Sequence, residues 1–378
     1  MARLGDIGRI ITGNTPSTSD TQNYASNDIC FVKPSDIASD DVTILDDTEF
    51  HIAEYAREKA RVLPPRCVLV TCIGIIGKVA INALECSFNQ QINAIIPDTQ
   101  KCVPEYVAYA LFNKQAELQA NANAPVVPIM NKSQFSDIKI YIPSLQEQED
   151  VVRKLTRISA LISLRKQQIA KLDELVKARF VEMFGDITET VPLSYYIAAL
   201  IAGKSLAGEE VCPNKVLKTG AATYDYFDPT QIKNLPVDYE PQEEHRVNTG
   251  DVIISRMNTA ELVGAAAYVW EAPKCTYLPD RLWRAEMKDT ACPIFVWQIL
   301  IQSSTKDSIR CIASGTSGSM KNISKPGLLG IHVKKVPLNL QHQFAAFVAQ
   351  TNQQKLTIQH SLAQLELLKK ALMQKYFG

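Results

Sequence analysis

The residue types best suited to chemistry fall in the run PDRLWRAEMK, where Asp280, Glu286 and Lys288 lie close together. Two carboxylates and a lysine can hold a divalent ion and neutralise a phosphate under attack, the set a metal-dependent nuclease uses. The two acidic residues are too near in sequence for the usual hairpin placement, and the alternation through Leu282, Trp283 and Arg284 reads as an ordinary strand. Gly203, Lys204 and Ser205 form only the end of a phosphate loop, because Ala198 stands where that loop needs glycine. His51, His245, His332, His342 and His360 have no evident Asp or Ser partner. Nine cysteines are scattered without a Cys-x-x-Cys pair or a zinc-like histidine spacing, which suggests reduced thiols in a cytosol and no metal site. There is no Asn/Asp-Pro-Pro-Tyr/Phe tetrapeptide and no glycine-rich cofactor loop after a strand. The expectation is a chain with no catalytic residue and no cofactor of its own. A nuclease using Asp280 and Glu286, or a coiled-coil scaffold that binds only protein, are the alternatives.

The elements that would position any binding surface are easier to read. From Pro143 to Gly185 apolar residues recur every three to four positions: Val151, Leu155, Ile158, Ile162, Ile169, Leu172, Val176, Phe180 and Met183. This is a heptad seam interrupted by Arg165 and Arg179. Ser144 and Glu147 have the spacing of a capping box, and Gly185 supplies the stop. About forty residues at 1.5 Å each give a rod on the order of 60 Å, which needs a partner for its seam. The partner is the last stretch, from Pro337 to Gly378, with its own seam of Phe344, Val348, Ile358, Leu362, Leu365 and Leu372. Asn339 takes the capping place, and Leu340, Gln341 and Gln343 echo Leu145, Gln146 and Gln148. After a small gap, Ala363, Leu365, Leu368, Lys370, Ala371, Phe377 and Gly378 echo Ala170, Leu172, Leu175, Lys177, Ala178, Phe184 and Gly185. The chain thus repeats itself with a period of about 190 residues. The residues expected to pair the helices and dock partners are Leu155, Ile162, Leu172, Val176, Ile358, Leu362, Leu365 and Leu372.

Between the helices lie two mixed segments. In the first, strand-like runs at 30–37, 66–82 and 88–98, the second broken at Gly74 and Gly77, precede a helix at 104–122 that Pro104 opens. In the second, 191–205, 246–258, 292–304 and 315–337 repeat that order, with Gly203 in the place of Gly13. The expected fold class is α+β: two mixed domains, 1–142 and 187–336, separated by a long antiparallel two-helix coiled coil of residues 143–186 and 337–378. Antiparallel pairing would set the domains at opposite ends of the rod about a pseudo-twofold axis.

With 378 residues and 46% hydrophobic content there is enough apolar side chain for two cores. No run of eighteen apolar residues spans a membrane, and the opening MARLGDIGRIITGN has no apolar core for a signal peptide, so a cytoplasmic protein is expected. Net charge is zero, which argues mildly against a nucleic-acid partner. The distribution softens this. Residues 1–144 carry −4, but half of their acidic groups lie between Asp36 and Glu58, while 145–185 carry +2 and 341–378 carry +3.

Two similar domains held by a rod, with no active site, suit a ruler for two half-sites on a periodic ligand such as duplex DNA. The residues that follow resemble a known family. LGDIGRIITGNTPS, CFVKPSDI, VLVTCIGIIGKVAI and FNQQINAI resemble the target-recognition domain of type I restriction–modification specificity (S) subunits, IPSLQEQEDVVRKL resembles their lead-in to the first long helix, and KALMQKYFG resembles the end of the second. His342 replaces the acidic residue of that lead-in. The resemblance covers the chain and is weaker in the second recognition domain. It implies a non-catalytic subunit whose recognition domains each read half of a bipartite double-stranded DNA target. The paired helices would set the spacer and dock two modification (methyltransferase) subunits, which bind S-adenosylmethionine and methylate adenine. A restriction/translocase subunit would join them.

Side chains able to reach phosphates or base edges from loops are the candidates for DNA contact. They are Thr15, Ser17, Lys33, Lys78, Asn89, Gln90 and Lys132 in the first domain. In the second they are Arg256, Asn258, Arg281, Arg284, Ser319, Lys321 and Asn322, with Arg256 and Lys321 in loops rich in small polar residues.

Overall fold

The computed structural model describes residues 1–120, 129–315 and 320–378. They form two compact units, residues 1–168 with 358–378, and residues 169–357.

In the first unit, Val68–Thr71 and Val79–Asn82 are continuous buried runs, and they pair as an antiparallel hairpin. Gly74 and Gly77 turn the hairpin, with φ of 78° and 86° that only glycine adopts freely. Ile92–Pro97 adds to Val68–Thr71, and Gly8–Thr12 adds to Ile92–Pro97, both antiparallel; Thr43–Leu45 completes a five-stranded sheet, parallel to Val79–Asn82. Both faces are covered, which explains the unbroken apolar runs. Val68, Val70 and Ile81 pack against Val107, Ala108 and Leu111 of the helix Pro104–Asn113. Leu69, Ala80 and Ala94 face the other way, onto Val32, Leu63, Cys86 and Phe88. There lies a second sheet, in which Ile29–Val32 runs antiparallel to His51–Ile52 and parallel to Cys86–Phe88.

The second unit repeats this plan. Ile197–Ala202, Leu282–Met287, Val252–Ser255 and Ala266–Tyr268 make an antiparallel sheet in that order. Ile232–Asn234, Lys215–Leu217 and Thr276–Tyr277 make a three-stranded sheet with one parallel pair. Val252 and Ile254 face the helix Pro293–Leu300, whereas Ile253, Ala267 and Val269 face Leu217 and Leu278. Gly13 and Gly203 hold equivalent places. A Cβ on Gly13 would collide with the backbone of Phe88 and Asn89, and one on Gly203 with the backbone of Leu278.

Two helices are shorter than the sequence implies. The helix expected at 104–122 is two, Pro104–Asn113 and Gln115–Ala120, because the Lys114 amide turns back to the Leu111 and Phe112 carbonyls. That expected at 292–304 ends at Leu300, and a further helix, Ser303–Ile312, follows. Residues 126–128 and 316–319, parts of the two expected loop segments, lie outside the described residues.

The long helices are Leu145–Phe184 and Leu338–Phe377, forty residues each. In the first unit Lys154 reaches the Tyr376 hydroxyl at 3.3 Å and Lys166 approaches Glu366 at 4.0 Å. In the second, Lys355 pairs with Asp173 at 2.7 Å, and Phe180 lies edge-on to Phe344 at 5.6 Å between ring centroids. In each unit the contact position rises along one helix as it falls along the other, so the pairing is antiparallel. Leu155 and Ile162 are buried, while Leu172, Val176, Ile358, Leu362, Leu365 and Leu372 are half-buried. A pair of helices shields one side of each; full burial comes only where a domain packs over the pair, as Tyr106 and Tyr109 do beside Leu155 and Met373.

Ser144 makes the capping box with Glu147: its amide and hydroxyl donate to the Glu147 carboxylate at 3.1 and 2.7 Å, and the Glu147 amide donates back to the hydroxyl at 3.4 Å. These bonds hold the Glu147 carboxyl below its usual range. The repeat runs without the expected gap. Leu338 corresponds to Leu145 and Phe377 to Phe184, so the partner of Gln148 is Gln341 rather than Gln343. Asn339 does not cap the second helix, because it lies inside it.

Candidate nucleic-acid interface

Each sheet system delivers polar loops to one region of its unit. In the first, the chain leaves Gly8–Thr12 through Gly13, whose close approach lets the Asn14 amide reach the Phe88 carbonyl at 3.0 Å. That places Thr15 beside the 89–91 turn, where its hydroxyl donates to Gln90 at 2.7 Å. Thr15 and Gln90 are exposed, and Ser17 is exposed with its hydroxyl 2.7 Å from that of Ser19. Asn89 is a correction. It is buried, its amide donating to Gln91 at 2.8 Å, so it shapes the turn that presents Gln90 and offers nothing outward. Lys33 is half-buried with its ammonium 3.0 Å from the Phe50 ring centroid, a cation–π contact. Lys78 ties down the neighbouring loop through the Pro34 carbonyl at 3.1 Å. Lys132 is exposed at the start of a short helix, Lys132–Ser136, capped by Asn131.

The sequence reading passed over Lys59 and Arg61. Asn14 donates to the Lys59 carbonyl at 2.8 Å and accepts from the Arg61 amide at 2.9 Å, so both cations border the Thr15 loop. Their position directly after the acidic run that ends at Glu58 concealed them.

In the second unit the structure brings together residues more than sixty positions apart. Met257–Asn258 pairs with Lys321–Asn322 as a short antiparallel ribbon. Arg256 donates through Nε to the Asn322 side chain at 3.1 Å and lies 5.8 Å from the Trp283 ring centroid. Its backbone amide donates to the Arg281 carbonyl at 3.0 Å, and Arg281 itself is exposed. Lys321 reaches the Gly315 carbonyl at 3.4 Å. Arg256, Asn258, Arg281, Lys321 and Asn322 therefore share one patch. Arg284 is a correction: it turns inward, donating to the Arg246 carbonyl at 2.8 Å beside Asp251. Ser319 lies outside the described residues.

Next to Asn258, which contacts Thr223 at 3.5 Å, stand two tyrosines that sequence reading missed. Tyr224 and Tyr226 are 67% and 56% exposed, and their rings stack at 6.4 Å with an 18° tilt. Between them Asp225 adopts a left-handed φ of 64°. That strain is held by the Ala266 amide at 3.2 Å, by Lys306, and by the Trp297 indole on the Asp225 carbonyl at 3.3 Å. The clamp turns both rings outward.

Asp280 pairs with Ser205, and among the described residues the group able to hold a metal ion includes neither Asp280 nor Glu286. No helix among the described residues is long and apolar enough to cross a membrane.

Each unit carries a mixed domain, a polar patch and its own antiparallel pair of helix segments. Residues 1–174 match the type I restriction modification DNA specificity domain. That match covers a little under half of the chain. It is 29% identical over 190 residues to the specificity subunit of the type I restriction enzyme MjaIX from Methanocaldococcus jannaschii, which is 49% of this chain and 44% of that protein. It is 30% identical over 146 residues to the HindI specificity subunit from Haemophilus influenzae, covering 38% of this chain and 32% of the relative. The matched stretches span less than half of either relative. The fold is also that of the type I S subunit from M. genitalium, with a TM-score of 0.60 and 14% identity over 100% of this chain and 95% of that one.

Proposed function

We propose that this chain is the DNA-specificity subunit of a type I restriction–modification complex. Each recognition unit reads one half of a bipartite double-stranded target. The Thr15, Gln90, Lys33, Lys59 and Arg61 rim serves the first half-site, and the Arg256, Asn258, Arg281, Lys321 and Tyr224 patch the second. The paired helices set the spacer. Two modification subunits dock on the outward apolar side chains of those helices, among them Leu161, Leu164, Leu367 and Leu368 in one unit and Leu175, Val181 and Leu356 in the other, all exposed. S-adenosylmethionine binds to those partners and not to this chain, which is not a catalyst. A restriction/translocase subunit completes the complex in the cytoplasm, away from any membrane.

The observation that carries this reading is the duplication: one scaffold, built twice, presents a different set of amide, hydroxyl and cationic side chains each time. Different patches on equal scaffolds suit two different half-sites. The test is co-expression with a type I modification subunit. A stable complex whose DNA affinity falls steeply with salt supports the reading. A chain that neither joins that subunit nor contributes to DNA binding refutes it.

A further inference from the structure

We propose that Cys30, Asp47 and His51 form a binding site for one divalent ion of the zinc class. One sulfur, one carboxylate oxygen and one imidazole nitrogen from these three lie within 4.8 Å of one another. The strands explain why. Cys30 and His51 are register partners on adjacent antiparallel strands, so their side chains leave the same face of the sheet. Asp47 precedes His51 on the connecting loop, and its carboxylate already meets His51 Nε2 at 2.9 Å.

The loop is fastened before any ion arrives. The Thr48 hydroxyl accepts from the Phe31 amide at 3.2 Å and donates to the Phe50 carbonyl at 2.6 Å, and the Glu49 amide donates to Asp36 at 3.2 Å. The donors are therefore preorganised, and ordering them costs little further entropy. Ligand bonds of about 2.0–2.3 Å in a tetrahedron place donor atoms about 3.3–3.8 Å apart, so donors that lie within 4.8 Å of one another need shift only slightly, the Asp47–His51 pair opening from 2.9 Å and exchanging its hydrogen bond for the ion. Thiolate, imidazole and carboxylate together favour a borderline ion over calcium or magnesium, which take oxygen. Binding would release the Cys30 thiol proton. Cys30 is half-exposed and Asp47 exposed, which leaves an ion a path in and a fourth position for solvent. The ion would brace the strand that leads into Lys33 against the loop that ends in Phe50, the ring beneath the Lys33 ammonium.

The test uses the full chain, stripped with chelator and titrated with Co²⁺ and then with Zn²⁺ against a chromophoric chelator. One cobalt per chain is expected, with a near-ultraviolet thiolate-to-cobalt charge-transfer band that zinc displaces. Cys30→Ser abolishes the band, and His51→Asn and the exposed Asp47→Asn each weaken zinc binding at least about tenfold. Cys275→Ser and Cys311→Ser, at the other cysteines that are not buried, leave both signals unchanged. Circular dichroism of each variant separates loss of a ligand from loss of the fold, and Asp47→Asn keeps the test decisive if Cys30→Ser does not fold. Absence of stoichiometric cobalt, or a band that survives Cys30→Ser or vanishes with Cys311→Ser, overturns the site.

Discussion

Gln148 and Gln341 make the same set of hydrogen bonds, each in its own unit. Both are fully buried. The Gln148 side-chain carbonyl accepts from the Val103 amide at 2.9 Å, and its NH2 donates to the Lys101 and Pro143 carbonyls at 3.2 and 2.8 Å. The Gln341 carbonyl accepts from the Cys292 amide at 2.8 Å, and its NH2 donates to Thr290 and Val336 at 3.0 and 2.8 Å. Val103 and Cys292 each precede a proline-opened helix, so each glutamine joins the start of a long helix to the start of a domain helix. Gln148→Ala and Gln341→Ala strand three buried polar groups apiece and should each cost roughly 1–3 kcal/mol. Glu at either position should be worse, because a carboxylate would face two carbonyls. Urea unfolding of single and double variants checks this.

The capping box predicts a pH dependence. Ser144 holds the folded-state pKa of Glu147 below its usual 4.5. The ionised form is favoured by folding, so this contribution is present above the ordinary value and is lost as pH falls through the lowered one. Ser144→Ala should reduce stability more at pH 7 than at the acid end of the profile, where only the bond from the Glu147 amide to the hydroxyl is lost. Thermal unfolding of both proteins from pH 7 downward measures the difference.

The helix seam should not tolerate charge. Ile162→Asp or Leu365→Asp puts an unpaired carboxylate between the helices and should abolish folding or docking of the modification subunit. Leu155→Ala, at a position with no exposure, should cost about 2–5 kcal/mol. Circular dichroism and co-purification separate the two kinds of loss.

How far this was legible follows from how local each feature is. The long helices were readable because heptad spacing and the Ser144–Glu147 pair are short-range signals, and the hairpin at 68–82 because β-branched runs flank two glycines. The register of the repeat was misread at one end, since Asn339 looked like a cap and only the bonds of Gln341 reveal its true counterpart. Asn89 looked like an exposed loop polar group, yet Val32 and Phe88 pair beside it and bury it. Tyr224 and Tyr226 escaped notice because their display depends on Lys306, 81 positions from Asp225.

That display carries a further prediction. Tyr224→Ala or Tyr226→Ala should weaken binding to the target of the second unit, and Lys306→Ala should do so indirectly by releasing Asp225. Arg256→Ala should relax discrimination at one base pair of that half-site by about 1–3 kcal/mol if it pairs with guanine. A competition assay across single-base variants of the target distinguishes this from a phosphate contact, which would weaken all sequences alike.

The central claim is that one chain carries two independent readers. The most direct measurement maps methylated adenines, by single-molecule sequencing, in cells that express this chain with the modification subunit. A split motif with two constant halves and a fixed gap is the predicted result, and exchanging Arg256 should alter one half alone. A continuous motif, or methylation that does not depend on this chain, would contradict the account.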